Sequence, residues 1–249
     1  MTIMNTVETS PLPGSTPAAP DGAARVSGDS PPTELIEWML GRFSNQRVLM
    51  TTAFGMEGCA LIDMMARRAT RFDVVYIDTG FFFAETLALR DRLARRYPNA
   101  NFIRHATSLS PDAQAREFGP ELWKRNPDLC CRIRKVDPMR EVMQDVDVWV
   151  TALRRSQSTT RAAVRAVMWD WQYEVLKISP LASWGRPAVW NYVQDHDVPY
   201  NPLHQRGYPS VGCTHCTRPV EGATIDSYTR DGRWNGQSKL ECGLHGEGI

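Results

Sequence analysis

Residues 47–65 read RVLMTTAFGMEGCALIDMM and carry the first strand-and-helix signal of the chain. The apolar run at residues 47–51 is typical of a short buried strand, and the apolar positions after residue 58 recur at helical spacing. The turn between them, residues 51–58, contains Thr51, Thr52 and two glycines. Backbone N–H groups in such a turn can bind an anion at the helix start, but the same residues also suit an ordinary strand-to-helix turn.

The same alternation of strand and helix signals continues along the chain. Thr33 is the predicted N-cap of a first helix. Further strands are predicted at residues 72–77, 101–104 and 146–150, with helices at residues 85–97 and after Cys131. This order predicts an α/β fold with a mostly parallel sheet flanked by helices. Ligands of such sheets bind at the carboxyl ends of the strands, so the loops after Thr51, Ile77 and Val150 are the candidate site.

Composition predicts one main domain and limits its partners. The chain has 249 residues, 42% of them hydrophobic, and a formal net charge of +1, which argues against general nucleic-acid binding. We predict a disordered, proline-rich segment at residues 1–32, an α/β domain at 33–226 and a flexible tail at 227–249. No stretch has the length of a membrane span and the first residues do not resemble a secretory signal, so we expect no membrane partner and a cytoplasmic location.

The six cysteines fall into different chemical groups. Cys130-Cys131 and Cys213-Thr214-His215-Cys216 form two short pairs of the kind that holds an iron-sulfur cluster or zinc. Adjacent cysteines on a helix diverge by roughly 100°, which a bulky cluster accommodates better than one tetrahedral ion, although zinc remains an alternative. Cys242 stands alone in a glycine-rich tail and is a candidate nucleophile. Cys59 heads an apolar run and is most simply a buried small residue.

Residues 151–161 bring three arginines and several hydroxyl groups to one predicted strand end. Arg154, Arg155 and Arg161 carry guanidinium groups, whose fork suits the oxygens of phosphate or sulfate. The alternative is an ordinary solvated charged loop.

Three segments together resemble the assimilatory, thioredoxin-dependent adenylyl-sulfate (APS) reductases. They are CCRIRKVDP at 130–138, GCTHCTRP at 212–219 and ECGLH at 241–245. Supporting segments are DTG at 78–80, RRSQ at 154–157 and YNPLHQRGYPS at 200–210. The resemblance covers about residues 35–245, and the joint presence of both cysteine pairs and the tail motif is specific.

The resemblance implies an adenine-nucleotide α-hydrolase-like fold and reduction of adenosine 5'-phosphosulfate to sulfite and AMP in sulfate assimilation. It implies a [4Fe-4S] cluster on Cys130, Cys131, Cys213 and Cys216. Cys242 would attack the sulfur of APS and form an S-sulfocysteine, which thioredoxin then releases as sulfite. The implied substrate-binding residues are Lys135, Arg161, Arg230, Arg233 and His245, with Thr51, Thr52, Arg154 and Arg155 in the same cleft. The first loop has fewer serines than is usual in the family, which leaves its individual contacts open.

Alternatives remain at this point. A 3'-phospho-APS (PAPS) reductase or a dual enzyme shares the fold and the nucleophile, although reductases devoted to PAPS typically lack the four cluster cysteines. A cluster-bearing tRNA thiolation enzyme should carry an intact pyrophosphate loop and a broad basic face, and a non-enzymatic cluster protein would not need Cys242. His204 and His215 have structural interpretations. The oligomeric state is open, with a homo-oligomer among the alternatives.

Overall fold

The computed structural model describes residues 30–225, 227, 230, 232–234 and 239–245. Residues 1–29 of the predicted disordered segment 1–32 lie outside the described residues, and so do parts of the predicted tail. The first helix begins at Pro32 and not at a capping Thr33, because proline is well tolerated in the first helical turn.

The described residues form eight α-helices and six strands. The helices are α1 (Pro32–Arg42), α2 (Met56–Ala66), α3 (Ala84–Arg96), α4 (Pro111–Phe118), α5 (Leu122–Arg125), α6 (Pro127–Cys131), α7 (Asp137–Met143) and α8 (Arg186–Asp195). The strands are β1 (Val48–Thr51), β2 (Phe72–Ile77), β3 (Ala100–His105), β4 (Val148–Val150), β5 (Val167–Asp170) and β6 (Val175–Ile178).

The strands form one sheet in the order β3-β2-β1-β4-β6-β5. All neighbouring pairs are parallel except β5 and β6, which form an antiparallel edge. The chain runs outward from β1 through β2 to β3 and then returns to place β4 on the other side of β1. The topological switch point, where ligands of such sheets bind, therefore lies between β1 and β4. The predicted mostly parallel α/β fold is confirmed.

Successive residues of each strand point to opposite faces of the sheet, and each face has its own core. Met50 of β1 belongs to the larger core, which includes residues of α1, α2, α3 and α8. Leu49 and Trp149 belong to a smaller core on the other face, with Met139 and Met143 of α7. Leu244 of the tail packs against this smaller core. Among the described residues, no helix is both long enough and apolar enough to cross a bilayer.

Candidate active site

A cavity of about 210 Å³ lies at the carboxyl ends of β1, β2 and β4, at the switch point of the sheet. Eight of the predicted catalytic and substrate-binding residues line it, namely Thr51, Thr52, Lys135, Arg161, Arg230, Arg233, Cys242 and His245. Its lining includes Cys242, Leu244 and His245 of the tail.

The turn after β1 is held against the start of α2 by its own side chains. Thr52 Oγ1 accepts a hydrogen bond from the backbone N–H of Phe54 at 2.9 Å, and Phe54 has a positive φ of 59°. A Cβ atom at Gly58 would lie 2.5 Å from Thr52 Oγ1, so only glycine fits there without displacing the threonine. Thr51 Oγ1 accepts a hydrogen bond from Trp149 Nε1 at 2.7 Å, which fixes the indole beside the cavity.

Arg154 and Arg155, predicted in the substrate cleft, are not among the residues that line the cavity. The guanidinium of Arg154 is completely buried and donates to Glu57 Oε1 through Nη2 at 2.8 Å, while Arg155 Nε donates to Ala182 O at 3.3 Å. Burial would raise the pKa of Glu57, but Arg154 and Arg186 outweigh it and lower that pKa to about 2. Since Glu57 lines the cavity, Arg154 acts on the site by fixing this carboxylate.

The four predicted ligand cysteines surround a second, small cavity. Cys130 and Cys131 lie at the end of α6. Cys213 is the N-cap of a short 3-10 turn, Thr214–Cys216, and Cys216 is its last residue. A π-helical turn, Arg132–Val136, follows the first pair and carries Lys135. Both Lys135 and Cys213 line both cavities, which makes the two sites neighbours.

Buried polar groups hold these thiols in place. The Cys213 thiol lies 3.4 Å from Thr79 Oγ1, and Gln114 Nε2 lies 3.9 Å from Cys130 Sγ. Arg134 connects the two contacts, since its Nε donates to Gln114 Oε1 at 2.7 Å and its Nη1 to Thr79 O at 2.9 Å. The outer wall is aromatic. His215 stacks on Trp123 with 3.9 Å between ring centroids.

The thiols line one cavity and do not converge on a point. Within the described part of the chain, no three Cys, His, Asp or Glu side chains are grouped as the ligands of a single metal ion. Burial is the first cause that raises the pKa of Cys131 to about 11, and it also raises the pKa values of Cys130 and Cys216. Four thiols around a common space, three of them buried and that of Cys216 half-buried, fit a multinuclear group, which binds thiolates at several of its own atoms.

Cys242 differs from these thiols electrostatically. Burial acts to raise the pKa of the Cys242 thiol, but Lys135, the backbone N–H of Leu244 and Arg233 outweigh it, so that this pKa is lowered. A lowered pKa increases the fraction of thiolate, the reactive form of cysteine. The residue lies in the main cavity, half-buried.

The described part of the tail is docked on the domain by contacts on both sides of Cys242. The Glu241 carboxylate is bound by Arg161 and Arg230 at 2.8 and 3.2 Å. Gln172 Nε2 donates to Gly243 O at 3.1 Å. His245 stacks on Trp149 with 5.1 Å between ring centroids and 14° between planes. Burial lowers the pKa of His245 well below its usual value, so it faces the cavity as a neutral imidazole.

Two residues of this cavity were not assigned a functional role from the sequence. Trp149 lies in the middle of an apolar strand and looks like an ordinary core residue in the sequence. His204 is buried and lines the cavity; its Nδ1 lies 2.8 Å from Tyr208 O, and its Nε2 has no hydrogen-bond partner among the described residues. Burial and then Arg186 lower the pKa of His204 to about 4, so Nε2 is an acceptor at neutral pH. In the sequence, only the segment at 200–210, which contains this histidine, signals it.

The fold and the strand-end site define an adenine-nucleotide α-hydrolase-like α/β protein. Yeast FAD synthetase in complex with FAD shares this fold with a TM-score of 0.53 at 14% identity, covering 76% of this chain and 66% of that one. The phosphate complex of phosphoadenylyl-sulfate (PAPS) reductase from Candida auris superposes with a TM-score of 0.67 at 29% identity, covering 76% and 91% of the two chains.

Sequence comparison identifies the family. The phosphoadenosine phosphosulfate reductase domain matches residues 47–219. The adenosine 5'-phosphosulfate reductase of Salinibacter ruber is 43% identical over 214 residues, which is 86% of this chain and 83% of that protein. This chain belongs to the phosphoadenosine phosphosulfate reductase family and is an oxidoreductase acting on a sulfur group. The family predicted from the cysteine motifs is confirmed.

Proposed function

We propose that this protein reduces adenosine 5'-phosphosulfate to sulfite and AMP with thioredoxin as the electron donor. The observation that supports this most directly is the meeting of Cys242, whose thiol pKa is lowered, with Lys135 and Arg233 in one cavity at the strand ends. A nucleophile beside fixed cations suits attack on a doubly anionic anhydride, because the cations stabilise the charge that accumulates in the transition state.

In the first step the Cys242 thiolate attacks the sulfate sulfur of APS. A sulfur-sulfur bond forms, the bond from that sulfur to the bridging oxygen breaks, and AMP leaves with the electron pair. The product on the enzyme is an S-sulfocysteine. Lys135 and Arg233 balance the incoming thiolate charge, and the neutral His245 offers a hydrogen bond without adding charge.

In the second step one thioredoxin thiolate attacks the Cys242 sulfur and sulfite leaves. The second thioredoxin thiolate then attacks the mixed disulfide and restores the Cys242 thiolate. The thioredoxin dithiol becomes a disulfide and supplies both electrons that reduce the sulfur of APS to sulfite. For thioredoxin to reach Cys242, the docked tail must move outward.

Cys130, Cys131, Cys213 and Cys216 would hold a [4Fe-4S] cluster, and the support for it is the common cavity that these four thiols line. When bound, such a cluster with its four thiolate ligands would supply net negative charge beside Lys135. Burial acts to lower the pKa of Lys135, but the electrostatic effect of neighbouring cysteines, Cys213 first, outweighs it and raises that pKa. Lys135 therefore stays protonated where it lines both cavities.

We further propose a preference for APS over PAPS. The four cluster cysteines support it, and the Salinibacter relative at 43% identity is named for APS, whereas the Candida neighbour at 29% identity is named for PAPS. The test is a parallel measurement of kcat/KM for both nucleotides with reduced thioredoxin, following sulfite and AMP. A higher value for APS is expected, a higher value for PAPS would contradict the preference, and release of sulfite from neither would refute the proposed reaction.

A further inference from the structure

The carboxylate of Glu241 binds Arg161 and Arg230, two arginines that line the cavity. The Arg161 guanidinium donates two hydrogen bonds to this carboxylate, from Nε to Oε1 at 2.9 Å and from Nη2 to Oε2 at 2.8 Å. Arg230 Nη2 approaches Oε2 at 3.2 Å, and Thr160 Oγ1 lies 3.0 Å from Oε1. Paired contacts of this kind are among the stronger ones in proteins and match the geometry of phosphate and sulfate oxygens.

The ion pairs of Glu241 with Arg161 and Arg230 are largely buried. The side chains of Glu241 and Arg230 are each 16% exposed and that of Arg161 is 9% exposed. The other arm of Arg161 is fixed by Gln157 Oε1 at 2.6 Å from Nη1. Burial acts to raise the pKa of Glu241, but Arg161 and Arg230 outweigh it and keep that pKa low, so the carboxylate is charged at neutral pH.

Glu241 also precedes the nucleophile directly in the chain. Arg230 Nη2 additionally donates to Leu240 O at 3.0 Å, so the backbone before Cys242 is held by the same arginine. After Cys242, the tail is held by the Gln172 contact to Gly243 O and by packing of Leu244. Of these contacts on either side of Cys242, the one through Glu241 engages arginines that line the cavity.

We propose that Glu241 is an internal counterion of Arg161 and Arg230 and competes with the substrate's anionic group for these two arginines. Binding of the substrate exchanges one anion for another on the two arginines, while the Gly243 and Leu244 contacts keep Cys242 near the cavity. When the product anion leaves, the carboxylate returns to the arginines. This proposal deepens the proposed function, on which the identity of the anion rests.

The test compares the binding of AMP and adenosine, two probes that differ in the anion, by calorimetry. Glu241→Gln removes the competing charge but keeps the size of the side chain. We expect it to tighten AMP binding about fivefold to tenfold, the scale of losing one partly buried ion pair, and to leave adenosine binding within about twofold. The matched control Glu221→Gln, at an exposed position, should change neither, and Glu241→Asp should stay closer to wild type than to Glu241→Gln.

The outcomes separate this inference from the proposed reaction. Unchanged or weaker AMP binding in Glu241→Gln, with wild-type binding of AMP intact, would overturn the competition and leave the reaction standing. Equal tightening of AMP and adenosine would also overturn it, because removal of the tail as a mere steric obstacle affects both ligands alike. A wild-type protein that binds neither probe would refute the nucleotide site itself, and the inference with it.

Discussion

Lys135 and Cys242 stabilise each other's charged form at the boundary between the two cavities. Burial acts against both charges, yet the pKa of the Cys242 thiol is lowered with Lys135 as the strongest favourable cause, and the pKa of Lys135 is raised with Cys242 among its causes. Lys135 also lines the second cavity, which the four clustered cysteines surround and which is called the cysteine cavity below. The same ammonium group therefore serves the nucleophile and the proposed cluster.

Removing this charge should make Cys242 a weaker acid. In Lys135→Gln we expect the pKa of the Cys242 thiol to rise, so that alkylation of Cys242 by iodoacetamide requires a higher pH than in the wild type. Lys135→Arg keeps the charge and is the control. The measurement is the alkylation rate of Cys242 against pH, resolved by peptide mass. An unchanged midpoint in Lys135→Gln would show that Lys135 does not tune the nucleophile.

The buried pair of Glu57 with Arg154 should contribute to stability in a defined pH range. Glu57→Gln leaves Arg154 and Arg186 without their carboxylate, and we expect the free energy of unfolding at pH 7 to fall by about 3 kcal/mol. Because the pKa of Glu57 is lowered to about 2 in the folded protein, its contribution is fully present above its unfolded value of 4.5 and is lost as pH falls toward 2.

Urea unfolding of both proteins between pH 7 and pH 3 measures this difference. The exposed pair of Glu37 with Arg68 supplies the control, since Glu37→Gln should cost less than about 1 kcal/mol. A Glu57→Gln variant as stable as the Glu37→Gln control would show that the pair of Glu57 with Arg154 does not stabilise the fold.

Iron should depend on each of the four clustered thiols. We expect anaerobically purified wild-type protein to be brown and to contain about four irons per chain, and Cys131→Ala to lose iron because one ligand of a shared site is missing. Cys59→Ala removes a buried thiol outside the cysteine cavity and should keep the iron. Iron analysis and visible absorption are the readouts. Stoichiometric zinc without iron in the wild type would contradict the cluster.

The stack of Trp123 on His215 should slow the loss of that iron. It forms part of the wall of the cysteine cavity, so Trp123→Ala opens a route for water and chelators. We expect iron release to a strong chelator to become several times faster, without a change in iron content before the chelator is added. Trp171→Ala, at a tryptophan that is 61% exposed, is the control. Equal release rates in wild type and Trp123→Ala would exclude a shielding role.

Local patterns predicted the central strands well. The predicted strand 72–77 coincides with β2 (Phe72–Ile77), and the predicted strand 47–51 begins one residue before β1. These segments are short apolar runs bounded by turns, which is the signal that periodicity detects. The antiparallel pair β5 and β6 was not predicted, because its inward residues include Lys177. That lysine is buried through an ion pair with Asp170 at 2.8 Å, and pairs of this kind are not visible in hydrophobic patterns.

Some contacts of the candidate site could be predicted from the sequence and others required the fold. The sequence motifs predicted Cys242 and Lys135 as neighbours in function, and both line the main cavity. The sequence predicted Arg154 in the substrate cleft, and its partner Glu57 became visible only in the fold, since Glu57 lies 97 positions away in the chain. The role of Glu241 required the folded arrangement as well, because its partners come from the loop after β4 and from Arg230.

The central claim is that Cys242 is the nucleophile that accepts the sulfonate group, and intact mass tests it most directly. The protein is mixed with APS in the absence of thioredoxin, so that the covalent intermediate cannot turn over. The wild type should gain roughly 80 Da, the mass of one transferred sulfonate, and Cys242→Ser should gain nothing while it retains iron and binds APS, because a serine hydroxyl is a far poorer nucleophile. An adduct of the same mass on Cys242→Ser would place the nucleophile elsewhere and contradict the mechanism.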